Sequence, residues 1–337
     1  MTDLASVDSY SAPARSRPAR LRAAFARLDW KRVEQRYDAR AENATIGSVR
    51  LRKGIAALFF AFALLVLYTE VGKGSLNSGP FVLALGAVAL FVGRGGRFVY
   101  YFVPVFLGLA SYSLAGSVAS SLKLGVHYEP QLRLEEWLSP GAIPTVWLQQ
   151  HLYHGHTGVL EGFSLAMYLS HFWIPLALGF ALAMTHRGRA FATLMFGLLA
   201  VSILGEMTFV LAPTAPPWLA AEHGLIPGVN HVLKTSLYDV HLRALAQFNG
   251  DPKKYDVTAA VPSLHVAFPV ICILTALRFK LPRWVAVALV LNTLGVVFAI
   301  VYTGEHYMVD AIAGALYAAV AWWLVRRLLG REASAAT

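Results

Sequence analysis

Apolar positions in this chain fall in long blocks, with short basic clusters between them. Apolar runs lie near residues 54–71, 79–93, 98–117, 162–184, 190–212, 262–278, 283–302 and 308–328. A helix rises about 1.5 Å per residue, so roughly 20 apolar residues cross the ~30 Å of a bilayer's hydrocarbon. Most of the runs reach or approach that length, and the run at 79–93 is the shortest. The pattern predicts an all-α fold, a polytopic membrane helical bundle of about eight transmembrane helices. Residues 1–53 read as a basic tail, partly disordered, in which Arg20 to Arg40 has the character of a surface helix. The expected organisation is that tail, accessory helices over 54–117, an outer amphipathic segment over 118–161, a bundle over 162–328 that carries the candidate chemistry, and a short tail over 329–337. No internal repeat is visible, and no signal peptide is expected, because a long polar stretch precedes the first apolar run.

Composition supports this picture. Apolar residues make up 57% of the 337 and charged residues 14%, where a soluble domain carries about 25% charge. The net charge of +10 does not point to nucleic acid, because the basic residues sort by membrane side. Of the 29 Lys and Arg, 22 fall in the tail, at Arg94 and Arg97, at Arg187 and Arg189, at Arg278, Lys280 and Arg283, and at Arg326, Arg327 and Arg331. The other seven are Lys73, Lys123, Arg133, Lys234, Arg243, Lys253 and Lys254. The positive-inside rule places both termini in the cytoplasm and the loops at 118–161 and 213–261 outside. Trp137, Trp147 and Trp218 on one side and Trp284 on the other fit interfacial belts. The single cysteine, Cys272, excludes an intrachain disulfide and a cysteine-based zinc site.

Polar groups near a membrane span are expensive and call for a reason. Pro262-Ser263-Leu264-His265 opens the run at 262–278. With Pro262 at the first helical position, the amides of Ser263, Leu264 and His265 would point outward and, with the helix dipole and the Ser263 hydroxyl, form an anion site. The plain alternative is a helix cap with His265 at the interface. His306 and Asp310, four apart, share a helix face. A carboxylate there can hold one ring nitrogen and leave the other as a nucleophile or base, or the two can form a structural pair. Gly314, one turn further, would admit a close neighbouring helix. An anion site with a histidine, beside a carboxylate-oriented histidine at the same depth, points to phosphoryl transfer through a phosphohistidine. No metal or other cofactor is expected, because Glu161, Glu206 and Glu305 are scattered over different spans while two-metal sites cluster carboxylates. His151, His154 and His156 look like a metal cluster near Glu161, but they also fit a polar interfacial segment.

These residues carry a resemblance. Pro262 to His265 and His306 to Asp310 are similar to the second and third motifs of the type-2 phosphatidic acid phosphatase superfamily. More narrowly, Pro-Ser-Leu-His, the Tyr302 to Gly314 run, the proline-rich Pro213 to Trp218 segment, and His171-Phe172 with Pro175 resemble the branch containing inositol phosphorylceramide synthase and its bacterial relatives. The resemblance covers about residues 145–328 and implies a six-helix-type phosphatase or phosphotransferase core. It implies His306 as nucleophile, Asp310 as its orienting carboxylate, His265 as acid and base, and Ser263 as a phosphate ligand. The superfamily's Lys-x6-Arg-Pro motif is absent, and Ile300 stands where its phosphatases carry an arginine. Lys234 and Arg243 are the candidate replacements for phosphate binding, although an outer-loop cation is usually just solvated. His171, Tyr302, Pro213, Thr214 and Trp218 are candidates to line the substrate cavity; for His171, a hydrogen bond across the bundle is the other reading. The implied partners are a lipid phosphate or phospholipid and the bilayer, with the site facing outward from the cell membrane. The acceptor could be an alcohol, as in a transferase, or water, as in a phosphatase. A rival of another class is a transporter in which His265, His306 and Asp310 relay protons; repeated halves and midplane polar residues would mark it.

Two outcomes are expected. A cysteine placed at position 253 should react with an impermeant maleimide from the non-cytoplasmic side, and labelling from the cytoplasm alone would reverse the topology. Turnover should survive a chelator; a loss restored by zinc or magnesium would bring His151, His154 and His156 forward as ligands.

Overall fold

The computed structural model describes residues 124–243 and 259–328, with Ala246 and parts of 53–68 and 84–89. The basic tail through residue 52, the run at 98–117, Lys253 and Lys254, and residues 329–337 lie outside the described residues, and the runs at 54–71 and 79–93 lie partly outside them. A count of eight spans therefore rests on the sequence alone. Among the described residues the chain is helical: α1 (Glu129–Leu138), α2 (Pro144–Leu152), α3 (Val159–Met184), α4 (Gly188–Leu211), α5 (Pro217–Glu222), α6 (Val232–Asp239), α7 (Leu264–Arg278), α8 (Arg283–Tyr302) and α9 (Met308–Leu328).

Four of these, α3, α4, α8 and α9, are long and apolar enough to cross a membrane. Their outward faces are apolar, with Leu211, Leu291, Leu294 and Leu316 all exposed. The protein is an integral membrane protein built as a helical bundle. Expected and observed starts and ends of these helices agree within about three residues, because uninterrupted apolar runs end where charge or proline intervenes. The chain turns at His186 and Lys280, both with positive φ, and Arg187 donates to the Phe279 carbonyl across the two turns. That contact fixes both basic loops at one end of the bundle.

Helix α7 occupies the centre, packed against α3, α4, α8 and α9. Small residues let the backbones approach: Ala267, Ala276, Ala318 and Ala321 are buried in one cluster with Leu194, Ile271 and Cys272. At 15 residues α7 is short, about 22 Å by helical rise. The shortness has a geometric reason. The Ser263 amide donates to the Asp310 carbonyl at 3.1 Å, and a methyl at position 314 would sit 2.2 Å from the Ser263 carbonyl oxygen. The start of α7 is thus level with Gly314, six residues and about 9 Å down α9 from its beginning. Pro262 lies outside the helix: Ser263 is the N-cap residue, so the expected helix start shifts by two residues.

The end of the bundle opposite the basic loops, its outer end in the expected topology, carries α1, α2, α5 and α6 as short helices. Thr214 pairs in parallel with His127 and with Ala259, which ties the segment before α5 to both the outer loop and the approach to α7. Trp137, Trp147 and Trp284 are exposed as interfacial residues should be, but Trp218 is buried among Ala215, Leu219 and Val229. It belongs to the packing of the outer layer and not to a belt.

Gly314→Ala is expected to destabilise the protein by about 1–3 kcal/mol, because backbone cannot yield as a side chain can. Gly295→Ala meets only side chains, Met167 and Phe163, and should cost less. Thermal unfolding in detergent compares the two; equal losses would contradict the close approach.

Candidate active site

Three histidines converge where α7 begins. His265, in the first turn of α7, has Nδ1 at 3.1 Å from His306 Nε2. His171, from the middle of α3, packs edge-on against His265 with ring centroids 4.1 Å apart, and Tyr168 covers His265 at 4.5 Å. His306 and His171 are each only 4% exposed, and Ser263 and Asp310 are fully buried. His265 alone of the three histidines is partly exposed.

The end of α8 explains how His306 gets there. Thr303 caps the helix and Gly304 follows with φ of 83°. The Gly304 amide donates to the Val301 carbonyl, and the Glu305 amide to that of Ile300, a paired closure that needs a left-handed residue at 304. The chain reverses within four residues and starts α9 at Met308. Asp310, third in α9, reaches back: its Oδ2 accepts from the Tyr307 amide at 2.9 Å and lies 3.4 Å from His306 Nδ1. The second contact is long for a hydrogen bond. A carboxylate only accepts, so it assigns the proton to Nδ1 and leaves His306 Nε2 as the acceptor for His265.

Four outer elements hold this turn. Gln149 on α2 donates to the carbonyls of Tyr302 and Asn230 and accepts the Asn230 amide. The Trp218 amide donates to the Gly304 carbonyl. His231, stacked flat on the Trp218 ring at 4.1 Å, meets Glu305 at 2.8 Å. Glu135 on α1 accepts the amides of Met308 and Val309 at 3.0 and 2.9 Å. Two helix N-termini therefore meet here in opposite states. The first amides of α9 are closed by Glu135 and Asp310, while those of Leu264 and His265 in α7 have no carbonyl one turn back.

The remaining expected residues fall in two groups. Thr214 accepts the Val261 amide through its hydroxyl and so braces the approach to α7, while Pro213 accepts the His127 amide and ties this segment to the loop before α1. Tyr302 is buried and donates its hydroxyl to Glu161. Trp218 underlies the 303–307 turn, as described. Lys234 is half-buried on α6 and Arg243 is exposed beyond it; among the described residues neither contacts the histidines or Ser263. His151, His154 and His156 line, with Glu161, a cavity of about 310 Å³ at the outer end of α3. His151 stacks on Trp147, and among the described residues no group of three His, Cys, Asp or Glu side chains is placed to hold a metal.

Sequence reasoning missed Glu135, with its neighbour Gln131 that packs beside it without touching the site, and also Gln149 and the His231–Glu305 pair. A signal existed for the first two. The buried face of α1 is Gln131, Leu132 and Glu135, so polar groups stand where helical spacing calls for apolar ones.

A family model described as the PAP2 superfamily matches residues 132–324, more than half of the chain. The chain belongs to the PAP2 superfamily. It is also 29% identical over 173 residues to the phosphoinositol dihydroceramide synthase of Bacteroides thetaiotaomicron. That similarity covers 50% of this chain and 56% of the relative, so the chain spans little more than half the relative's length. No solved structure matches.

Proposed function

We propose that this PAP2-superfamily protein is a phosphotransferase that acts on a lipid phosphate ester or phosphodiester at the non-cytoplasmic leaflet of the cell membrane, through a phosphohistidine on His306. The observation that carries the reading is the relay itself: Asp310 against Nδ1 of His306, and His265 at 3.1 Å from Nε2. The relative's name, phosphoinositol dihydroceramide synthase, supports an alcohol as acceptor. Water as acceptor would make the same site a lipid phosphatase.

The donor's phosphoryl group takes the place of the direct His265–His306 contact. Its anionic oxygens meet the open amides of Leu264 and His265 and the Ser263 hydroxyl, whose oxygen is buried without a partner. The Nε2 lone pair of His306 attacks phosphorus, the bond to the leaving alcohol oxygen breaks, and protonated His265 gives its proton to that oxygen. Neutral His265 then takes the proton of the acceptor hydroxyl. The resulting oxygen bonds to phosphorus, the P–N bond breaks, and His306 regains its lone pair. Asp310 holds the Nδ1 proton throughout and balances the charge on the phosphorylated ring. Lys234 and Arg243 remain the candidate cations for the donor's phosphate. His171, packed against His265, borders the same space.

His306→Ala is expected to abolish turnover and any acid-labile label from a phosphate-labelled donor. His265→Ala should slow turnover by about 10²–10⁴ with a poor leaving group. With a good leaving group it should still phosphorylate His306, and the adduct should accumulate because nothing deprotonates the acceptor. Asp310→Asn should fall between the two. Label retained in His306→Ala, or found on His265 in the wild type, would reverse the roles. Turnover or transport with no covalent phosphate would remove the reading altogether.

A further inference from the structure

Resting on the phosphohistidine reading, we propose that Glu135 is a positioning residue for the nucleophile, one that caps α9 from outside so that Asp310 stays on His306. Glu135 is on α1, in the outer segment, and touches none of the three histidines. Its two oxygens take the first two amides of α9, and its side chain is fully buried.

A helix that begins in a low-dielectric setting needs acceptors for its first amides. The usual source is a short polar side chain at the N-cap. Here that position is Tyr307, which has no such oxygen near its own backbone. The one carboxylate within the first turn is Asp310. One of its oxygens takes the Tyr307 amide and faces His306, while the other, Oδ1, is buried without a partner. Without Glu135, the amides of Met308 and Val309 would be buried donors beside an unused carboxylate oxygen. Each orphaned donor costs about 1–3 kcal/mol, enough to draw Asp310 toward the helix end and away from the ring. Glu135 supplies both acceptors, and the positive end of the α9 dipole favours its charge. Burial pushes the Glu135 carboxyl upward, the Val309 and Met308 amides hold it down, and Asp310 nearby adds to the upward push.

Gln131 provides the comparison. It lies one turn back on the same buried face and donates to the carbonyls of His127 and Ala215, with no bond to residues 306–310. If α1 merely held the outer layer together, the two positions would be equivalent.

The experiment uses the full chain in detergent, with a labelled phospholipid donor and a 4-nitrophenyl phosphodiester as the good-leaving-group donor. Glu135→Gln puts an amide NH2 against one of two backbone donors. It is expected to slow labelling of His306 by about 10- to 100-fold with both donors, the scale of a misplaced reacting group. KM should change less than about two-fold, because substrate does not touch the residue. Gln131→Leu should stay within a few-fold of wild type. His265→Ala differs in kind, because the nitrophenyl donor restores its labelling. Glu135→Gln that labels at the wild-type rate, or that recovers with the nitrophenyl donor, would overturn the proposal, as would an equal loss in Gln131→Leu. If Glu135→Gln does not accumulate folded, Glu135→Asp takes its place, keeping the charge and one amide bond, with an intermediate rate expected. Failure of both to fold would overturn the proposal by assigning the residue to stability. A wild type that turns over with no label on His306 would overturn the phosphohistidine reading itself.

Discussion

The contact on which the rest depends is backbone to backbone. The Ser263 amide donates to the Asp310 carbonyl, and Gly314 lets the Ser263 carbonyl lie against α9. Inside a bilayer every backbone group must find a partner within the protein, so a helix cannot start partway down without one. Gly314 meets that condition by removing a side chain. The start of α7 then lies below the outer ends of α8 and α9, and His265 in its first turn comes level with His306. A helix beginning at the rim would place His265 about two turns too high for that contact.

The outer layer solves the complementary problem. The turn from Thr303 to Tyr307 reverses the chain among buried groups, and a free loop there would leave carbonyls and amides unpaired. Gln149, Trp218, His231 and Glu135 come from separate elements, and each takes one part of the turn. Glu135 and Asp310 together close the start of α9 with acceptor oxygens, while the start of α7, about 9 Å further down, keeps its first amides open to an anion. On the proposed function, that open start is the side of the His265–His306 pair that phosphate would take.

Much of this was legible in the residues. His306 and Asp310 are four apart, and helical geometry alone brings them to one face. His265 and His306 both fall at the outer ends of apolar runs, and the distribution of arginine puts those ends together. Gly314 could be read because a glycine one turn beyond a functional pair has few other uses. Glu135 and Gln149 were not legible in the same way. Their partners, Met308, Val309 and Tyr302, are more than 150 residues away, and they are bonded through backbone, which leaves no side-chain type to recognise. Trp218 was misread because an aromatic residue beside a span fits a belt as well as a core, and only the fold distinguishes them. The tail and the third apolar run lie outside the described residues.

The pair His265–His306 treats water and an alcohol alike, since each offers one proton and one oxygen. Selection between them must come from access. His306, the proposed nucleophile, is 4% exposed and His265, the proposed acid and base, is the more open of the two, so on that reading an acceptor would approach from the His265 side, where Tyr168 and His171 pack. These rings present apolar faces, which favour a hydroxyl carried on a larger molecule over isolated water. The proposed phosphohistidine in such a place would be shielded until an acceptor large enough to fill the approach arrived. That is the physical condition under which transfer outruns hydrolysis.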